Sequence, residues 1–448
     1  MNFDTLLADA DHRGRQYAAS STTRRVFPDD AALAALAAFD EEVPESATSA
    51  ETTIAMLDEI GTPATVASTG GRYFGFVIGG TLPVAAAAER LALAWDQCAS
   101  TFDNSPAADA IERAAARWSL DLLGLPPESA VNFGTSATAC GLACLTAARR
   151  TLLARQGWDF DRDGLSGAPP VRFVIGALTH VTVRKVLRLM GVGTANIIEV
   201  PVDAHGRVDP AQLPPLDATT VLCLQAGEVN TGECDPFSAI IPRARAAGAW
   251  VHVDGAFGLW TRASTTRRVL TEGVEAADSW TVDGHKWLNT PYDGAMGICR
   301  AADALAGAMN SDAAYASAPA DSQKNLGIEF SRRARGIPIW AVLRSLGRRG
   351  VAAMIDRHCA QARRLAEGLR ASGYTVLNRV VMNQVLVRLE SDEATRRVRQ
   401  AAVDSGETWF GLTTWEGRTA FRLSVSSWAT TDADLEATIG LLQRLREG

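Results

Sequence analysis

Between residues 171 and 299 short runs of apolar, strand-forming residues recur, separated by turns and by longer helical stretches, and few folds accommodate that rhythm. The pattern predicts strands at 171–175, 197–201, 221–224, 250–254, about 279–282 and 295–299, with helical runs such as 236–247 between them. Strands alternating with helices argue for βαβ units, hence a mainly parallel sheet covered by helices on both faces. Helical spacing is also read at 81–95, 106–123 and 139–150. From about residue 340 the character changes: a helical stretch at 339–370 is followed by short apolar segments at 374–377, 385–387 and 421–425, then a closing helix from Asp432. That is a smaller α+β domain. Residues 1 to about 65 carry helical periodicity in pieces divided by Pro28, Pro44 and Pro63, too little to bury a core alone. The expected organisation is a helical arm (1–65), a large α/β domain (66–335) and a small C-terminal domain (336–448).

Within this frame one stretch concentrates chemistry: Ser279-Trp280-Thr281-Val282-Asp283-Gly284-His285-Lys286-Trp287-Leu288-Asn289-Thr290-Pro291-Tyr292-Asp293. A lysine buried among two tryptophans, a leucine, a proline and a tyrosine would have its pKa lowered toward the neutral amine. A neutral amine is a nucleophile that condenses with carbonyls, as lysine does in enzymes carrying pyridoxal phosphate. Alone, Lys286 reads more readily as a surface lysine on a loop. A second stretch, Trp250-Val251-His252-Val253-Asp254-Gly255-Ala256-Phe257-Gly258, changes that balance. Asp254 ends a buried strand, where open α/β sheets place their ligands. A carboxylate there can keep a pyridine nitrogen protonated, which makes the ring an electron sink. A helix cap after the strand is the plain alternative.

Together, Asp254-Gly255-Ala256 and Asp283-Gly284-His285-Lys286-Trp287-Leu288 resemble the pyridoxal-phosphate-dependent group II decarboxylases, the aromatic-L-amino-acid and glutamate decarboxylase family. The resemblance runs from about Gly71 to the C terminus, with Gly284 where the family often has alanine. It implies a fold-type I large domain, a homodimer formed partly through the N-terminal segment, and pyridoxal 5'-phosphate as cofactor on Lys286, with Ala256 and His285 among the cofactor-binding positions. Asn132-Phe133-Gly134-Thr135-Ser136-Ala137-Thr138 leads into a helical run, and a helix amino terminus is a ready anion site. The resemblance places the phosphate on Ser136, Ala137 and Thr138. It also places His180 on the face of the pyridine ring, although a lone histidine is more often structural.

Composition narrows the partners. A 47% hydrophobic, 21% charged chain with net charge −7 is an ordinary globular protein with no electrostatic case for nucleic acid. The Arg332-Arg333-Ala334-Arg335 cluster reads as a solvated face, a carboxylate clamp or a subunit contact. Seven cysteines without a Cys-x-x-Cys pair give neither a disulfide framework nor a zinc site, so no metal is expected and a reducing cytoplasm is. The first twenty residues lack the apolar core of a signal peptide, and Glu89-Arg90 interrupts the apolar run at 81–95, so no membrane span is read. A nicotinamide oxidoreductase lacks its Gly-x-Gly-x-x-Gly fingerprint near the chain start. A non-catalytic relative is disfavoured because the lysine, aspartate, histidine and hydroxyl positions are all filled.

The expected reaction is CO₂ release from an L-amino acid to give an amine. The same cofactor also supports transamination, aldol cleavage and oxidative deamination to an aldehyde. Tyr73, Phe74 and Phe76, which the resemblance puts near the substrate, suggest an aromatic side chain. Gly227-Glu228-Val229-Asn230 stands where the family often has Gly-Thr-Thr, removing a hydroxyl near the site. Tyr315 lies on a small, polar stretch expected to be mobile and to close over substrate. The resemblance makes Tyr315 the acid that protonates Cα after CO₂ loss.

Overall fold

The computed structural model describes residues 3–311 and 317–447. These fall into two compact units. One comprises the chain up to Gly80 with Gln361–Leu377 and the residues from Val385 onward; the other comprises Thr81–Ala360 with Asn378–Gln384. The N-terminal arm and the C-terminal strands thus pack as one unit, with cuts at 80 and 360 where the sequence pattern suggested 65 and 335.

The larger unit is built on a seven-stranded sheet of order β1-β7-β6-β5-β4-β2-β3. The strands are β1 (Ala130–Gly134), β2 (Arg172–Gly176), β3 (Ile197–Val200), β4 (Thr220–Gln225), β5 (Trp250–Asp254), β6 (Ser279–Asp283) and β7 (Ala295–Cys299). β7 runs antiparallel to both β1 and β6, and the remaining pairs are parallel. Every residue of β4, β5, β6 and β7 is buried, which is why these segments read as continuous apolar runs rather than alternating ones. On one face, α4 (Ala137–Arg155) and α5 (Val181–Leu189) bury Ala143, Leu145, Val183, Val186 and Leu187 against Phe173, Ile175, Val221 and Trp250. The other helices used below are α1 (Phe3–Ser20), α2 (Pro83–Trp95), α3 (Pro106–Leu123), α6 (Phe237–Ala246), α7 (Gly336–Ala371), α8 (Asp392–Asp404) and α9 (Asp432–Glu447). Six of the seven strands and α6 follow the predicted rhythm. β1 is not among the predicted strands, its residues falling in the stretch that leads into α4, and α7 is broken at Gly347 (φ 61°).

The smaller unit has a four-stranded sheet of order β10-β11-β9-β8, from β8 (Thr375–Val376), β9 (Gln384–Arg388), β10 (Gly411–Trp415) and β11 (Arg418–Ser424). β10 pairs antiparallel with β11, and β8 with β9. The helix α1 buries none of its residues, leaving Phe3 and Leu7 exposed, as an arm seeking a partner surface would. Tyr73 and Phe74 are buried within this unit, Tyr73 stacked on Trp409 with centroids 5.0 Å apart; only Phe76 is exposed. All seven cysteines are free thiols. Among the described residues no helix is long and apolar enough to cross a membrane, and no cluster of His, Cys, Asp or Glu is placed to hold a metal ion.

Candidate active site

Parallel strands deliver their carboxyl ends to one edge of the sheet, and the residues singled out from the sequence gather there. Asp254 closes β5 and is buried; its Oδ1 accepts the Ala256 amide at 3.1 Å and the Thr281 hydroxyl at 3.3 Å. Gln225, ending β4, pairs in register with Asp254, and its side-chain oxygen accepts the His180 amide at 3.2 Å. His180 is the N-cap of α5, and its Nδ1 lies 2.7 Å from the Thr182 hydroxyl, which fixes the plane of the ring. So the structural role weighed for this histidine is real, and the cap holds it beside the strand ends.

Ser136 caps α4, accepting the Ala139 amide at 3.3 Å. Ala137 and Thr138 form the first turn, where amide N–H groups and the helix dipole favour an anion. They share a narrow cleft with Thr182, His252, Asp254 and Thr281. Of the candidates, Ala137, Thr138 and Asp254 border this small void. His252, beneath Asp254 on the same face of β5, bonds Ser279 at 2.9 Å, and burial pushes its pKa down to about 4, so it is neutral at physiological pH.

After β6 the chain turns through Gly284 to His285 and Lys286. The two tryptophans do not cage the amine as expected. Trp280 and Trp287 are fully buried and donate elsewhere, to the Val274 carbonyl and to His358. Lys286 keeps 21% of its side-chain exposure, and its Nζ lies 3.1 Å from Asp283 Oδ2. An ion pair, not an apolar box, surrounds it. His285 accepts the Gly294 amide on Nδ1 at 3.2 Å, which leaves the ring proton on Nε2, 3.7 Å from Asp283. Burial lowers the His285 pKa against the opposing pull of Asp283, so the ring is neutral and this contact is a weak polar one. Tyr292 stacks on His285 with centroids 4.3 Å apart.

Asp283 is the residue that sequence reasoning passed over. Its Oδ1 also accepts the Ala137 amide at 2.7 Å, tying the end of β6 to the first turn of α4 across 146 positions of sequence. Its spacing of three from Lys286 was a readable signal for the ion pair; the helix contact was not. Ala256 ties the turn after β5 to the same strand end, since its carbonyl accepts the Asp283 amide at 2.9 Å. The unusual Glu228 folds back on its own loop, accepting the amides of Asn230 (2.8 Å) and Thr231 (2.7 Å). Tyr315 lies outside the described residues.

A strand-end carboxylate, a helix amino terminus and a lysine amine lie at one edge of this sheet, and that donor set would suit pyridoxal phosphate: carboxylate for the ring nitrogen, helix amides for the phosphate, amine for the aldehyde carbon. Residues 34–390 match the pyridoxal-dependent decarboxylase conserved domain, and the chain belongs to that family. It is a pyridoxal-phosphate-dependent amino acid decarboxylase. It is 28% identical over 400 residues to tryptophan decarboxylase 1 of Oryza sativa subsp. japonica, covering 79% of this chain and 76% of that one. It is 29% identical over 367 residues to an L-2,4-diaminobutyrate decarboxylase of Rhizobium meliloti, covering 76% and 71%. The crystal structure of Oryza sativa TDC with PLP and tryptamine has the same fold, with a TM-score of 0.91 at 24% identity over 100% of this chain and 98% of that one.

Proposed function

We propose that the chain releases CO₂ from an L-amino acid with a large aromatic side chain to give the amine, with Lys286 as the cofactor lysine. The observation that carries the assignment is the placement of Lys286 Nζ 3.1 Å from Asp283, on the strand next to the one ending in Asp254. The chain has three lysines, Lys185, Lys286 and Lys324. Lys185 is exposed on α5, and Lys324 is buried with its amine 2.7 Å from Asn325. Asp254 would hold the proton on the ring nitrogen, and His180 and Ala256 would bracket the ring. Ser136, Ala137, Thr138 and His285 would hold the phosphate. Bound there, pyridoxal phosphate supplies the sink for the electrons left by CO₂ loss.

The aromatic preference rests on relatives such as the tryptophan decarboxylase, since Tyr73 and Phe74 are committed to packing. The diaminobutyrate decarboxylase relative favours a second reading, a short diamino acid. Measuring CO₂ release across the common L-amino acids and L-2,4-diaminobutyrate separates them: turnover confined to diaminobutyrate removes the aromatic reading. We assign Tyr315 the proton delivered to Cα. Tyr315→Phe should still release CO₂ but, with dioxygen as the oxidant and water hydrolysing the imine, shift product from amine toward aldehyde, ammonia and hydrogen peroxide; an unchanged amine yield removes Tyr315 from the mechanism. Aldehyde from the wild type would favour oxidative deamination. A homodimer is part of the proposal, supported by exposed Leu91, Leu93 and Trp95 on α2, and light scattering of the purified protein checks it. The free thiols support a reducing, cytoplasmic setting.

A further inference from the structure

Asp283 puts a full negative charge at the place where the site must receive an anion. Its side chain is only 3% exposed, and its two oxygens reach an α4 amide at 2.7 Å, Lys286 Nζ at 3.1 Å and, more loosely, His285 Nε2 at 3.7 Å. The Ala137 amide and, more loosely, the His285 N–H are the donors that an incoming phosphate would seek. A carboxylate already bonded to them competes with that phosphate and, being of like charge, repels it through a low-dielectric gap.

We propose that Asp283 is an internal anion that occupies the phosphate end of the site and limits its affinity for phosphate, so that cofactor retention is weaker than the donor set alone would give. The inference rests on the cofactor reading above. It differs from a purely structural role, in which Asp283 merely clamps β6 to α4. If it is a clamp, loosening it should weaken every ligand of the site. If it is a competitor, neutralising it should tighten them.

Asp283→Asn separates the two, because the amide keeps an oxygen for the Ala137 N–H while losing the charge. The cofactor-free protein is titrated with pyridoxal phosphate, followed by its visible band, and separately with inorganic phosphate, followed by thermal shift. The proposal expects Asp283→Asn to bind both about tenfold more tightly than wild type at pH 7.5, with the gap narrowing as potassium chloride is raised. Equal or weaker binding of both by Asp283→Asn overturns it. Asp283→Ala, if it folds, should also tighten inorganic phosphate, since the Ala137 amide is then released to it; weaker phosphate binding by a folded Asp283→Ala overturns the proposal too. Should the wild type show no visible band that Lys286→Ala abolishes, the cofactor reading fails, while the inorganic phosphate arm still decides the role of Asp283.

Discussion

Two buried ion pairs in the larger unit look alike and are built for opposite ends. Arg332 meets Glu112 with two parallel bonds of 2.7 and 2.8 Å, and its guanidinium also donates to the Ala99 and Phe133 carbonyls. Glu112 additionally accepts the Gly336 amide, so α3, β1 and the start of α7 converge on one ion pair. Both side chains are at most 2% exposed. The Lys286–Asp283 pair has one contact of 3.1 Å, and the lysine keeps 21% exposure. The first pair is shut, with only Arg332 Nε left unpartnered; the second leaves its amine reachable. A charge held by every available partner stabilises a fold, whereas a charge held by one partner can be handed to a ligand.

The largest expected effect comes from breaking the open pair. Lys286→Ala should abolish turnover and the visible cofactor band at a smaller cost in unfolding free energy than breaking the closed pair, because the lysine side is open to solvent and Asp283 keeps its bond to the Ala137 amide. Steady-state CO₂ release and urea denaturation on the same preparation check both halves. Breaking the closed pair should do the reverse. Arg332→Met leaves Glu112 charged and buried without its partner, and the expected loss is about 3–5 kcal/mol in urea denaturation. A loss near zero would make the two pairs equivalent and the contrast empty.

A third measurement sharpens the contrast through pH. His252 lies beneath Asp254, and burial lowers its pKa to about 4 from an ordinary 6.5. The folded value is depressed, so its contribution is present above about pH 6.5 and is lost as pH falls toward 4, roughly 3 kcal/mol for a shift of this size. Replacing it by Asn should flatten that part of the stability profile, read from urea midpoints at pH 4.5 and 7.5. The smallest effect belongs to the α4 cap. Ser136→Ala should cost about 1 kcal/mol of stability through the lost bond to the Ala139 amide, and weaken cofactor retention as well.

What the sequence revealed and what it hid follow from the range of the interactions. Trp250–Asp254 and Ala295–Cys299 were predicted to the residue because they are buried on both faces, so burial is written as an uninterrupted apolar run. β1 was missed because Ala130–Gly134 is short and runs almost directly into α4, where its glycine and small neighbours look like loop. β10 was missed because Gly-Leu-Thr-Thr-Trp sits at a half-exposed sheet edge with little apolar content. Lys286, Asp254 and His180 were legible as a motif. The surroundings of Lys286 were not: Trp280 and Trp287 flank it along the chain yet point into the core, and Asp283 earns its importance from an amide 146 residues away.

The central claim is that Lys286 carries the cofactor, and the chain's three lysines make this simple to test. The purified protein with pyridoxal phosphate is reduced with borohydride, digested, and the pyridoxyl group located by mass spectrometry. The account predicts the label on Lys286 alone, with catalytic activity lost in proportion to labelling. A label on Lys185 or Lys324, or full activity in protein labelled stoichiometrically at Lys286, would contradict it.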